Sequence, residues 1–244
     1  MVKISLQLPL RKQHDVFTNL MESLVNTTAN PKKIEMLVVV DDDDIDTIAF
    51  IKECSINYSF NIRLLITKRS DFFIRDYHNF AERQMLGRWI ININADSYFR
   101  TKNWDIIINK RMSDAALKFG DDIIYGIITD NLLEKVDVDF SCWCLCSKEY
   151  VDLMGGVADG RIAMWGADVA IGLVFDLVDN GNRKIHIPEV SIDHMSHHVY
   201  KEIPESEHIK RFHNITSRLP SFLTDEQIIE SANKINEYIR NKTR

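Results

Sequence analysis

The chain has 244 residues, 45% hydrophobic and 27% charged, with a formal net charge of −6. These are globular values, enough for a full apolar core in one large domain or two small ones. The acidic balance excludes a broad nucleic-acid-binding surface, so no nucleic-acid partner is expected. No apolar run approaches the roughly 20 residues that span a bilayer, and no signal-like stretch opens the chain; the expectation is a soluble cytoplasmic protein without a transmembrane segment.

Val2 to Leu8 alternates and branches like a first strand and meets Pro9. After Arg11-Lys12, Val16, Leu20 and Leu24 at four-residue spacing predict a helix from about Asp15 to Asn26, and Asn30-Pro31 makes the turn. Ile34 to Val40 reads as a buried strand running straight into Asp41-Asp42-Asp43-Asp44-Ile45-Asp46, with a helix from Thr47 to Cys54 after it. Ile62 to Ile66 is the third strand, and Asp76 to Leu86 can form a helix with Gly87 as its stop. Trp89 to Ile93 reads as a strand buried on both faces that ends abruptly at Asn94-Ala95-Asp96. Trp104 to Phe119 has the pattern of a long amphipathic helix closed by Gly120, and Ile123 to Ile128 and Phe140 to Cys146 supply two more strands.

Gly155 to Trp165 is loop-like, and a helix starts near Gly166-Ala167-Asp168 and runs to the Asn180-Gly181 stop. Lys184 to Ile187 and Val190 to Ile192 read as two short strands broken by Pro188, followed by His194, His197 and His198. Thr224-x-x-Gln227 is a capping-box pattern opening a last helix, Asp225 to Arg240, with the stripe Ile228, Ala232, Ile235 and Ile239. Packing on the core or against a second copy in a homodimer suits that stripe better than a membrane. Alternating strands and helices over the first 120 residues predict an α/β fold with a mostly parallel central sheet. Three of the four cysteines, Cys142, Cys144 and Cys146, alternate along one strand face, where reduced thiols act as small hydrophobes more readily than as a zinc site.

Ligands of open α/β sheets gather beyond the carboxyl ends of strands, so polar residues at those ends are the candidates for chemistry. Asp41 directly follows buried Val38-Val39-Val40, where a carboxylate can accept the N–H of a nucleotide base. The neighbouring acids serve equally as helix-dipole partners, and the run lacks the glycine and terminal glutamate of a calcium loop. Asn94 and Asp96 can face one site, where a single carboxylate binds Mg2+ or Mn2+ modestly until a diphosphate adds oxygens. Arg75 and Asn79 lie one helical turn apart; Arg75 can meet phosphate or be an ordinary surface cation, and Asn79 can hydrogen-bond the strand ends. Asp168 is either a dipole-satisfying cap or a general base for a hydroxyl nucleophile. A histidine after a strand, His194, can complete a metal shell with Asp96, whereas His197 and His198 cannot both point the same way in regular structure.

The order of these motifs resembles the GT-A nucleotide-sugar glycosyltransferases, closest to the family 2 type. It runs from strand–Pro9 through Val40-Asp41-Asp42, Asn79, Gly87-Arg88-Trp89-Ile90 and Asn94-Ala95-Asp96 to Gly155-Gly156, Trp165-Gly166-Ala167-Asp168 and Pro188…His194, covering roughly residues 2 to 198. The resemblance implies a GT-A catalytic domain over 1–200, with residues 201–244 a helical C-terminal extension packed on it. It assigns Asp41 to the nucleotide base with Pro9 and Arg11 nearby, and Asn94-Ala95-Asp96 to the Asp-x-Asp element. Asp96 becomes the metal ligand, Asn94 a ribose or metal contact, His194 a second metal ligand and Asp168 the base of inverting members. Two positions depart from the pattern: Asn94 stands at the usual first aspartate, and Ala167 where an acid often precedes the base.

The expected reaction moves a sugar from a nucleotide-diphosphate sugar to a carbohydrate or other hydroxyl acceptor, assisted by Mn2+ or Mg2+, with Asp168 as general base. The alternative is a non-catalytic nucleotide-sugar or carbohydrate-binding protein with a degenerate metal site. Nucleotidyl transfer ranks below both, because Pro9-Leu10-Arg11-Lys12-Gln13 lacks the glycines of a phosphate loop.

Overall fold

The computed structural model describes residues 2–130, 140–163, 166–195, 214–215 and 217–242. The parallel strands β1 (Ile4–Leu10), β2 (Ile34–Asp41) and β3 (Asn61–Thr67) are joined by α1 (His14–Thr27) and α2 (Ile45–Asn57), each a right-length crossover. A π-helical turn, Ile74–His78, leads into the short α3 (Asn79–Glu82) and then to β4 (Trp89–Asn92), which pairs in parallel with the other side of β1. The three-residue β5 (Ser97–Phe99) and α4 (Trp104–Phe119) follow. Next come β6 (Tyr125–Thr129), β7 (Leu145–Ser147), α5 (Lys148–Met154), α6 (Ala167–Leu177), β8 (Lys184–His194) and α7 (Asp225–Lys242). The sheet has eight strands in the order β3-β2-β1-β4-β7-β6-β8-β5, and only β7 and β5 run against the rest.

Strand alternation sorts side chains to the two faces of this sheet. Leu6, Leu8, Met36, Val38, Trp89 and Ile91 pack under α1, α2 and α4. On the other face Leu37, Val39, Ile90, Cys144 and Cys146 meet Tyr77, Val151, Phe175 and the apolar stripe of α7. All four cysteines are free, and burial pushes the Cys144 and Cys146 thiols well up, as expected of inert core residues. Ile228 and Ile235 of α7 are 8% and 0% exposed, worth about 2 kcal/mol each by buried area, which holds the helix on α6. The helix begins with the capping box, Gln227 N donating to Thr224 Oγ1 at 3.3 Å and Thr224 N to Gln227 Oε1 at 3.0 Å. Its Asn236 donates to the Leu177 carbonyl, an orphan at the end of α6.

Several expectations are corrected by tertiary contacts. The first strand does not stop at Leu8 but carries Pro9 and Leu10, because β4 pairs only as far as Gln7 and Pro9 needs no donor on that side. Residues 141–144 are not strand: Ser141 Oγ takes the N–H of Trp143 at 3.2 Å and donates to the Ile128 carbonyl, a local turn that competes with the ladder. Pro188 does not end a strand, since β8 continues to His194 through a bulge, with Ile187 opposite Ile128 and Ser191 opposite Thr129. The helix expected over 76–86 begins earlier, at Ile74, and its regular part ends at Glu82. Lys148–Met154, helical through a Ser147 cap, carried no expectation.

Gly87 is not a helix stop. A Cβ there would lie 2.5 Å from Ser5 Oγ, 2.6 Å from Ser5 N and 2.8 Å from the Ile4 carbonyl carbon. Its N–H donates to Ser5 Oγ at 2.8 Å, beside the buried Glu35 carboxylate that also accepts from Ser5. Backbone atoms of β1 cannot yield to a methyl group there. Gly87→Ala is therefore expected to lower unfolding free energy by about 3 kcal/mol, read by urea denaturation; a loss below about 0.5 kcal/mol would mean that this close approach is not tight.

Candidate active site

Polar side chains collect at the carboxyl ends of β1, β2, β4, β6 and β8. At the first group, the Asp41 carboxylate ends β2 almost fully buried and accepts from Arg11 Nη1 at 2.8 Å and from the Tyr77 hydroxyl. Arg11 also grips Asp43 at 2.5 Å, and the Asp43 and Asp41 hydrogen bonds hold its guanidinium firmly charged. Half-buried Pro9 lies opposite Val39 just before this pair. Lys12 adopts left-handed φ, +53°, which turns its N–H onto Asp44 and Thr47, both at 3.1 Å. Asp44 caps α2, so within the acidic run 41–46 only Asp41 is set into the sheet edge.

The second group forms where β4 ends. Asn94 and Ser97 close a tight turn, Ser97 N donating to the Asn94 carbonyl at 3.1 Å and Asn94 N to Ser97 Oγ at 3.0 Å. The turn feeds β5, whose antiparallel register sets Ser97 opposite His194. In consequence His194 Nε2 is 3.2 Å from Asn94 Nδ2 and 4.0 Å from Asp96 Oδ1. The imidazole packs on Trp143 at a ring distance of 4.4 Å, and Trp143 is itself anchored to the Ile192 carbonyl. Among the described residues no three His, Cys, Asp or Glu side chains gather tightly enough to hold a metal alone. One carboxylate and one imidazole, with the Asn94 amide beside them, could nonetheless hold a divalent cation that a diphosphate helps to ligate. Two ligands each about 2.1 Å from one ion lie about 3 to 4 Å apart, the range of the Asp96–His194 spacing.

Asp168 opens α6, accepting the N–H of Val169 at 2.9 Å. Burial raises its pKa from the ordinary carboxylate value; His194 acts to lower it and Asp130 to raise it further. The Asp168 carboxylate thus sits within electrostatic reach of the residue that neighbours Asp96. Asp130, just past β6 and 1% exposed, is the residue sequence reasoning missed. The signal was available: Asp130 ends a buried strand as Asp41 does. Trp165, His197 and His198 lie outside the described residues.

Arg75 and Asn79 flank Gly160, but differently. Arg75 is exposed, paired with Asp76 at 2.7 Å and stacked over Phe72. Asn79 is buried and donates to the Ala158 carbonyl at 3.0 Å, so its contact is to the glycine loop and not to a strand end. Deeper in the same layer Glu82 accepts from Asn92 Nδ2 at 2.7 Å and from Val157 N at 2.5 Å. Gln7, opposite Asn92 in the β1–β4 register, is fully buried, and nearby His78 is buried too. The amide of Gln7 and Nδ1 of His78 find no hydrogen-bond partner among the described residues, the situation that internal waters satisfy.

Compared with protein-family models and with curated proteins, the sequence finds no match. Solved structures do match in three dimensions. Mannosyltransferase PcManGT from Pyrobaculum calidifontis, in complex with GDP-Man and Mn2+, superposes with a TM-score of 0.59 at 13% identity, over 98% of this chain and 75% of that one. S. aureus TarS 1-349 in complex with UDP-GlcNAc gives 0.54 at 15% identity, over 99% and 72%. GalNAc-T7 with UDP, GalNAc and Mn2+ gives 0.55 at 10% identity, over 80% of this chain and 43% of that one. The chain has the GT-A fold of these glycosyltransferases. No described helix is long and apolar enough to cross a membrane.

Burial in the polar layer has opposite consequences for Glu82 and His78. It pushes Glu82 up to about 7 from 4.5, and His78 down to about 4 from 6.5. Between pH 4.5 and 7 folded Glu82 holds a proton that the unfolded chain has lost, so its contribution falls with rising pH. Between pH 4 and 6.5 the unfolded chain holds the proton on His78, so that contribution rises. Each is about 3 kcal/mol, and over the shared window they offset one another. In Glu82→Gln only the His78 slope is left, so stability should climb from pH 4.5 to 6.5 more steeply than in the wild type, measured by chemical denaturation at several pH values. Parallel profiles would contradict the burial of Glu82.

Proposed function

We propose that the protein transfers a sugar from a nucleotide-diphosphate sugar to an acceptor hydroxyl, with inversion and with a divalent cation, Mn2+ or Mg2+, at Asp96. The observation that supports this reading is the approach of His194 to Asn94 and Asp96, from two separate segments, at one rim of the sheet, with Asp168 within electrostatic reach of His194. The three solved structures cited above contain GDP-Man, UDP-GlcNAc or UDP, two of them with Mn2+. In this reading residues 1–200 form the transferase domain, and residues 201–244 are an extension whose helix α7 braces α6.

Asp41 accepts a base N–H through a lone pair that Arg11 and Tyr77 leave available, since a carboxylate offers about four acceptor directions. Pro9 lines the base pocket. Arg11 lies beside Asp41, and Arg75 is the exposed cation available to the diphosphate. Asn94 offers its amide to ribose or metal, while Asn79 holds the glycine loop. Asp96, His194 and Asn94 would hold the cation, which when bound neutralises charge on the departing diphosphate. Asp168 takes the proton from the acceptor hydroxyl as its oxygen attacks the anomeric carbon from the face opposite the leaving group. Its desolvated setting suits that task, because a raised pKa makes it a stronger base than a surface aspartate.

Purified protein assayed with Mn2+ and a panel of UDP- and GDP-sugars should release nucleoside diphosphate. Asp168→Asn should lower kcat by about 100-fold or more with nucleotide affinity kept. Nucleotide binding that ignores metal, with no turnover and no effect of Asp168→Asn, would replace this reading by a non-catalytic binding protein.

The acid limb of kcat/KM is a separate expectation. Since burial and Asp130 both raise the Asp168 pKa, the limb should lie above that of an ordinary carboxylate, and Asp130→Asn should move it to lower pH. An unmoved limb would show that another group titrates.

A further inference from the structure

We propose that Glu82 is a positioning residue of the transfer site: its side chain joins the strand that delivers Asn94 and Asp96 to the loop that delivers Asp168. The inference rests on the functional reading above and goes beyond it by naming what keeps the two halves of the site in register.

Glu82 is the last residue of α3 and has no exposed surface. One carboxylate oxygen accepts from Nδ2 of Asn92, the final residue of β4, two positions before Asn94. The other accepts from the backbone N–H of Val157, at the head of the loop that runs toward Asp168. One helical turn earlier Asn79 takes the next carbonyl of that loop, at Ala158. Gly156 is seated so closely that any Cβ would overlap the Asn79 amide. Beyond this clamp Ala158 and Ile162 pack with Ile74 and with Ala170 of α6, so displacement of the loop is transmitted to the helix that begins beside Asp168.

The choice of side chain is informative. Two donors from different elements converge, and only a carboxylate offers an acceptor oxygen to each. A glutamine would turn its –NH2 group against one of them, and an aspartate is one methylene short of bridging both. An apolar residue would fill this interior without the penalty of desolvating a carboxyl group. A buried glutamate is therefore explained by what it connects better than by packing. Errors of about 1 Å in a reacting geometry cost about 100-fold in rate, so a loosened bridge should be visible in turnover.

The test uses the whole chain as Glu82→Gln, with Glu82→Asp as the variant that keeps the charge. Hydrogen exchange, followed by mass spectrometry without ligands, should quicken together in peptides covering 90–97 and 155–163. UDP and GDP affinity without metal should stay within about twofold of the wild type, since Asp41 ends β2 and Arg11 follows β1, away from the bridge, whereas kcat on an accepted donor should fall 10- to 100-fold. Melting near pH 7 should change little, because the hydrogen bond that the amide loses is offset by removal of a buried carboxyl group that has begun to ionise at that pH. A kcat that follows only the folded fraction, or exchange that quickens in one segment alone, overturns the proposal. Should the wild type turn over no sugar nucleotide, the transferase reading fails by itself. The paired exchange measurement, which needs no turnover, then still decides whether Glu82 joins the two segments.

Discussion

The approach of His194 to Asp96 depends on a ladder of three residue pairs. β5 has only Ser97, Tyr98 and Phe99, yet its antiparallel register with the end of β8 sets Ser97 against His194 and Phe99 against Ile192. Without that pairing Asp96 and His194, nearly one hundred positions apart, have no reason to meet. A ladder so short is not stable alone. It is held by Phe99 in the main core, by Met195 N donating to the Asp96 carbonyl, and by Trp143, which bonds the Ile192 carbonyl while stacking on His194. A one-residue slip would carry His194 to the opposite face and dissolve the site.

Beneath the rim the interior is not uniformly apolar. One face of β1 presents Leu6, Leu8 and Leu10 to the core, while Ser5 and Gln7 face α3 and the π-helical turn, where Glu35, His78, Asn79, Glu82 and Asn92 are also buried. Such a layer is costly unless its members are paired, and much of it is paired to backbone groups that strands and helices leave over. Glu35 serves Ser5, Arg63 and the Gly87 amide, and Glu82 serves Asn92 and the Val157 amide. The same pairings explain why glycine stands at 87 and 156, where chain segments approach too closely for a side chain. Interior polarity of this kind specifies one arrangement of the loops above it, at the cost of a pH-dependent stability.

Likeness of fold at 10 to 15% identity is expected from this construction. The two apolar layers require residues of suitable size in the alternating positions of strands and helices, and many sequences meet that requirement. Fold alone does not fix chemistry, and the chemical argument rests on particular groups at the strand ends. There this chain presents Asn94 beside Asp96 and His194, and a buried Asp130 that acts on Asp168.

The pattern of apolar runs was enough to determine the α/β class, the parallel β1–β2–β3 succession, the long helix ending at Gly120 and the capped C-terminal helix, because hydrophobic periodicity and capping chemistry are local properties. It also marked Asp41 and Asp96 as candidates, since an acid at or just beyond the end of a buried apolar run stands out in one dimension. Tertiary structure alone decided that β8 passes through Pro188 by a bulge, that residues 141–144 turn on Ser141, and that Gly87 serves close packing and not a helix end. It alone joined Tyr77 to Asp41 and Glu82 to both Asn92 and Val157. The reason is physical: a strand's buried face and a helix's cap are set by neighbours a few residues away, whereas the partner of a buried polar group is set by which distant segments the sheet brings side by side.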